Sequence, residues 1–157
     1  PYDRDGCLAA RGRVDQAVVK SLLDHPYFAR RPPKSLDRQH FTIPDSFATL
    51  PADGAATLTA FSVASVAEAV KHLPARPRRW LVTGGGRHNQ YFVERLAERL
   101  AVPVLPIEAV GGRGDSLEAE AFAYLAVRVL RGLPISFPQT TGVPEPMTGG
   151  ALYRAPS

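Results

Sequence analysis

Three consecutive glycines, Gly84, Gly85 and Gly86, sit inside the stretch RWLVTGGGRHNQYFVERL at 79–96, between an apolar run and an amphipathic one. Trp80, Leu81 and Val82 have the character of a short buried strand, whereas Phe92, Val93, Leu96 and Leu100 recur at helical spacing. The pattern predicts a strand at 79–83, a turn built on the glycines and a helix at 90–101. One or two glycines satisfy the geometry of a tight strand-to-helix turn. Three leave a stretch of backbone without Cβ atoms, free to take positive φ and to let another group approach a helix start that offers N–H groups and partial positive charge. A nucleotide or phosphate fits that description, and so does a purely geometric turn. The spacing is neither G-x-G-x-x-G nor G-x-x-x-x-G-K-[ST], because Arg87, His88 and Asn89 follow the glycines. Asn89 either caps the helix or hydrogen-bonds a ligand lying on the turn.

The remaining chain alternates helix and strand signals, which predicts an α/β domain. VPVLPI at 102–107 reads as a second strand that closes a right-handed β-α-β unit. A helix is expected at 14–23, ending near His25-Pro26, and another at 57–73, with Leu58, Phe61, Val66, Val70 and Leu73 as its stripe. A third is expected at 116–130, capped at its start by Asp115 or Ser116 and closed by Gly132. PYFARRPPKSLDRQHF is a proline-rich basic loop, and TIPDSFATLPADG carries several turn signals. The proline- and glycine-rich tail is expected to lie over the domain as an extended segment, or to fray. Residues 1–157 read as one domain. Two strands are few for that length, so a sheet or cleft completed by residues outside this chain is expected.

Composition narrows the function classes. With 157 residues, 45% of them hydrophobic and 22% charged, the chain can bury a core and is not a disordered segment. It opens on Pro1 and its one methionine is Met147, which suggests a piece of a longer protein. No secretory leader opens it and no apolar stretch approaches the roughly 20 residues of a membrane span, so a soluble, cytoplasmic protein is expected, with no membrane partner. A lone cysteine, Cys7, read as small and semi-buried, excludes an internal disulfide framework and a cysteine zinc site. His25, His40, His72 and His88 have no metal-ligand spacing, so no metal ligand is assigned. The net charge of +4 gathers in Arg30, Arg31, Lys34 and Arg38 and again in Arg76, Arg78, Arg79 and Arg87. Prolines interrupt the first cluster and acidic residues are spread through the helices, so both are read as solvated surface, with no nucleic-acid partner.

YDRDGCLAARGRVD, HPYF, RRPPKS, ATLTAFSVASVAEAV, LVTGGGRHN, DSLEAEAFAYLAVRVLRGLP and TTGVPEPMTGGALY, taken in order, resemble the C-terminal portion of the anhydro-N-acetylmuramic acid kinase family over essentially the whole chain. The resemblance implies an RNase-H-like domain of the actin, Hsp70 and sugar-kinase superfamily, the C-terminal half of a two-domain kinase that closes on ATP and Mg2+. It implies a reaction of peptidoglycan recycling in which water opens the anhydro bridge while the freed oxygen takes the γ-phosphoryl group of ATP. Its partners would be anhydro-N-acetylmuramic acid, ATP and the N-terminal half of the same kinase, and a homodimer is left open.

By the same resemblance, Gly84, Gly85, Gly86 and Asn89 bind the nucleotide, and Glu118, in the Glu-Ala-x-Ala-Phe-Ala helix, faces the sugar. Glu120 lies about 200° further round that helix and should point elsewhere. The family's phosphate loop and catalytic aspartate belong to sequence preceding this chain, so no catalytic residue is assigned here, Asp3 and Asp5 included, and the isolated chain is expected to be inactive. Two departures touch the pattern: Leu36 and Asp37 replace Thr-Gly in PPKSLDR, and Asp115-Ser116 stands where Asp-Trp is common. The competing expectations are a non-catalytic α/β binding domain and a fragment of another sugar kinase of the same superfamily.

Overall fold

The structure is a computed structural model that describes residues 2–43, 47 and 50–153. In chain order its regular elements are α1 (Gln16–Leu23), α2 (Pro51–Glu68), β1 (Trp80–Val82), α3 (Gln90–Leu100), β2 (Val104–Pro106), α4 (Leu117–Leu130) and the single turn α5 (Pro138–Thr141), with 3-10 turns between them. The two strands pair in parallel, Trp80 with Val104, Leu81 with Leu105 and Val82 with Pro106. Parallel neighbours need a crossover, which α3 supplies. The expected α/β class and β-α-β unit are therefore present, with strands shorter than the 79–83 and 102–107 read from sequence.

One apolar core joins α2, α3 and the strands. Val63, Leu96, Leu100 and Val104 are buried, and Val66, Val70, Trp80, Val82, Phe92 and Val93 pack around them. The helical stripe read at 92–100 is thus the face that holds α3 against α2 and the sheet. A second, aromatic cluster sits at the other side of α2, where Phe61 meets Phe28 and Phe41 edge to face at 6.1 and 5.1 Å.

Helix α2 starts six residues before the expected Thr57. Pro51 occupies its first turn, where a missing N–H costs nothing, so the proline read as a turn signal is a helix start. Pro44 to Ser46, Ala48 and Thr49, which carry other turn signals of that segment, lie outside the described residues. The start of α2 is fastened to the segment before α1: Asp53 accepts from the Arg13 N–H at 2.7 Å, and buried Thr57 accepts from the Asp15 N–H at 2.9 Å while donating to the Asp53 carbonyl. Asp15 in turn caps α1 through the N–H groups of Ala17 and Val18.

Two further expectations need correction. Cys7 is exposed, because the buried position of its turn is Gly6, which takes φ +74° and faces Asn89 and Tyr91 at the start of α3. The tail is neither wholly extended nor loose: it forms α5 and an antiparallel bridge between Ser136 and Met147. Helix α4 ends as expected, with Gly132 at φ +65°, yet none of its residues is buried, and Phe122 and Leu130 are each 65% exposed. Among the described residues no helix is long and apolar enough to cross a membrane.

Gly12 has ordinary extended geometry, and its need is for space: a Cβ there would overlap the backbone carbonyl of Ala52 in α2. Gly12→Ala is expected to cost roughly 1–3 kcal/mol of stability through overpacking, measurable as a lower denaturation midpoint at unchanged slope. An unaltered midpoint would show that the segment before α1 is not seated on α2 as described.

Candidate functional site

In open α/β sheets ligands collect beyond the carboxyl ends of parallel strands, and both such ends point to one cleft here. Leaving β1, the chain passes Thr83 to Gly84, which adopts φ +71°, ψ −178°, a region essentially restricted to glycine. Gly85 to His88 form a 3-10 turn, and Asn89 caps α3 by accepting the Phe92 N–H at 2.9 Å. Leaving β2, the 3-10 turn Ile107–Val110 and residues 111–116 lead to α4, whose first turn carries Glu118.

The two exits form the walls of a cleft of about 460 Å³, lined by Thr83, Gly84, Gly85, Gly114, Asp115, Leu117, Glu118 and Ala121. Gly84, Gly85 and Glu118, singled out from sequence, therefore share one cleft, whereas Gly86 and Asn89 stand outside its lining. The geometric need for glycine is confined to Gly84. Among the described residues a Cβ at Gly85 or Gly86 would meet no atom within 4 Å, so their packing gives no reason for glycine at either position. Open backbone beside the carboxyl ends of strands is what an incoming ligand uses. Asn89 has already given its oxygen to the cap, which leaves its amide nitrogen as the group to offer a ligand.

A larger groove, about 510 Å³, runs between α1, α2 and α3. Its lining is mainly apolar, and two of its rim cations are paired, Lys20 with Asp24 and Arg95 with Glu98, while Arg99 also stands on the rim. It has no exposed glycine backbone and no strand end, which favours the smaller cleft as the site.

Arg87 is the residue that sequence reading misplaced. Assigned to a solvated basic surface, its side chain is only 4% exposed, because three oxygens converge on it. Nη1 donates to the Gly84 carbonyl at 2.9 Å, Nε to Glu108 Oε1 at 3.0 Å and Nη2 to Asp115 Oδ1 at 2.7 Å. Its acceptors Glu108 and Asp115 were not foreseen as a pair, being 21 and 28 residues away along the chain. Gly114 was also missed: a Cβ there would overlap the Arg87 guanidinium. Asp115 is spent on Arg87 and does not cap α4. Nor does the Ser116 hydroxyl, which bonds Glu120 at 2.9 Å. Glu120 also pairs with Arg113 and is absent from the cleft lining, as its position round the helix requires. Two other cluster members are tethered as well: Lys34 donates to the carbonyls of Tyr27 and Phe28, and Arg76 to that of Leu100.

Arg87 holds the Asp115 carboxyl below the usual aspartate range by hydrogen bond and charge. Glu108 is lowered first by a bond from its own backbone N–H, against opposing burial, and then by the Gly114 N–H and Arg87. Folded pKa values below the unfolded ones give a contribution complete above about pH 5 and lost as pH falls below about 4. Acid titration of stability is expected to lose part of its slope in that window in Asp115→Asn. An identical slope would mean that the ion pair does not form in solution.

The sequence pattern of the family described as anhydro-N-acetylmuramic acid kinase matches residues 1–155. Proteins named anhydro-N-acetylmuramic acid kinase from Rhizorhabdus wittichii, Brucella anthropi and Acidiphilium cryptum are 55%, 57% and 56% identical to it, over 98%, 96% and 98% of this chain. Those matches cover 42%, 40% and 43% of the relatives, so the chain spans about two fifths of their length. With a family pattern matched almost end to end and relatives of this identity, the chain belongs to the anhydro-N-acetylmuramic acid kinase family.

Proposed function

We propose that this chain supplies the nucleotide wall and part of the sugar wall of an ATP-dependent anhydro-N-acetylmuramic acid kinase, and forms its C-terminal, RNase-H-like half. The observation that carries the reading is the shared cleft: Gly84 and Gly85 on the turn that leaves β1, and Glu118 on the first turn of α4, the helix that follows β2. The family membership supports the reaction class, and the sequence motifs support the placement in the C-terminal half.

The residues fit the adenosine side of ATP. Gly85 and Gly86 leave the backbone uncovered, and Gly84 turns the chain in a way that a side chain would resist. ATP would bring the transferable phosphoryl group. Glu118, exposed in the first turn of α4, is a carboxylate placed to accept hydrogen bonds from the sugar. Magnesium is different: among the described residues no three His, Cys, Asp or Glu side chains converge, and Asp115 and Glu108 already face Arg87. Protein ligands for that ion are assigned to the remainder of the enzyme.

In the proposed reaction a carboxylate base takes a proton from water, the water oxygen bonds the anomeric carbon, and the bridging C–O bond breaks. The freed oxygen bonds the γ-phosphorus as ADP leaves. The base is assigned to the portion preceding this chain. Asp3 is occupied otherwise, accepting the N–H groups of Leu8 and Ala9 at 2.7 and 2.9 Å. The uncovered α4, with Phe122, Tyr124 and Leu130 each more than 60% exposed, suits a helix that packs against the rest of the enzyme. A reducing cytoplasm, where the sugar is recycled, suits the single exposed Cys7.

The test is steady-state kinetics on the complete enzyme. Gly85→Val should raise the KM for ATP by tenfold or more by filling the open backbone, and Glu118→Ala should abolish turnover while ATP affinity is kept. The 157-residue chain alone should be inactive, since losing a general base costs about 10²–10⁴-fold before alignment is counted. Unchanged ATP binding in a folded Gly85→Val enzyme would make the turn structural, as in a non-catalytic binding domain.

A further inference from the structure

We propose that Arg87 is a positioning residue for this kinase site, and that one buried guanidinium sets the spacing between the glycine turn and the helix carrying Glu118. The inference rests on the function proposed above and adds a residue that touches neither substrate. Arg87 is absent from the cleft lining, and its fork is committed to protein oxygens, so it does not serve as a phosphate-binding arginine.

Each acceptor belongs to a different segment. The Gly84 carbonyl is the glycine turn itself, Glu108 lies in the 3-10 turn after β2, and Asp115 stands three residues before Glu118. A guanidinium is planar and presents N–H donors in fixed directions, so binding three oxygens at 2.7 to 3.0 Å fixes the angles between those segments as well as their distances. Glu108 reinforces the arrangement by accepting the Gly114 N–H at 3.2 Å with the same oxygen that faces Arg87. The absence of a side chain at Gly114 makes room for the fork. Two other polar links join the walls among the described residues, and both are longer: the Thr83 hydroxyl donates to the Gly114 carbonyl at 3.4 Å, and His88 Nε2 stands 3.7 Å from Asp115 Oδ1. Alignment of the nucleotide on one wall with the sugar on the other therefore passes mainly through Arg87.

A residue that aligns two bound ligands acts on kcat more than on either KM, because each ligand still has its own wall. In the complete enzyme, Arg87→Lys is expected to lower kcat by about tenfold and Arg87→Met by about a hundredfold, with the KM values for ATP and anhydro sugar changing less than about threefold. Lysine keeps the charge but not the fork, so its failure to rescue separates geometry from electrostatics. Asp115→Asn, a change at a carboxylate that is 84% exposed, serves if the Arg87 variants do not fold. It should lower kcat several-fold and add little to Arg87→Lys, since both break one linkage. Wild-type kcat in folded Arg87→Lys, or in Asp115→Asn, overturns the proposal while leaving the kinase reading intact. A wild-type enzyme that cannot phosphorylate the anhydro sugar defeats the kinase reading, and this inference with it.

Discussion

The packing of α3 between α2 and the parallel strands is the interaction on which the rest depends. Two strands of three residues each have few hydrogen bonds to hold them, and a bare pair of that size is marginal in water. Leu96, 2% exposed, and Leu100 bury the inner face of α3 against Val63 and Val104, and so hold β1 and β2 at one height. With the strands level, their carboxyl ends open on the same side. The glycine turn and the approach to α4 then stand opposite each other, close enough for one arginine to grip both.

The parts of this arrangement that were legible in the sequence are local. The β1 run, the α3 stripe and the Asn89 cap each depend on residues within a few positions, and each is found where the pattern puts it, although β1 is not the buried strand expected: Trp80 and Val82 are half-buried and Leu81 is exposed. The union of Gly84, Gly85 and Glu118 in one cleft was legible only through family resemblance, since no spacing rule links residue 85 with residue 118. Arg87 was not legible at all. In a row with Arg76, Arg78 and Arg79 it reads as surface charge, and only the convergence of two distant carboxylates with the neighbouring Gly84 carbonyl makes its burial tolerable. Pro51 misled for a different reason: the same proline marks a turn or a first helical residue, and the choice is made by the seat that Gly12 and Ala9 offer to α2.

Several features suit a domain that works against further polypeptide. Helix α4 has no buried residue although it is rich in alanine and large apolar side chains, and relatives are more than twice as long as the matched segment. The proposed chemistry divides the same way: the uncovered glycine backbone and Glu118 are proposed to hold and orient ligands, and the base that would activate water is assigned elsewhere. Gly6 packs on Asn89 and Tyr91, which brings the first turns of this chain beside the exit of the glycine turn.

The central claim is that the nucleotide lies on the Gly84–Gly86 backbone in the cleft that also holds Glu118. A crystal structure of the complete enzyme with a non-hydrolysable ATP analogue and the anhydro sugar tests it most directly. The account predicts the ribose and phosphates against the three glycines, with the Arg87 fork intact behind them and the sugar within hydrogen-bonding reach of Glu118. A nucleotide seated instead in the groove between α1, α2 and α3, with the glycine turn bare, would contradict it.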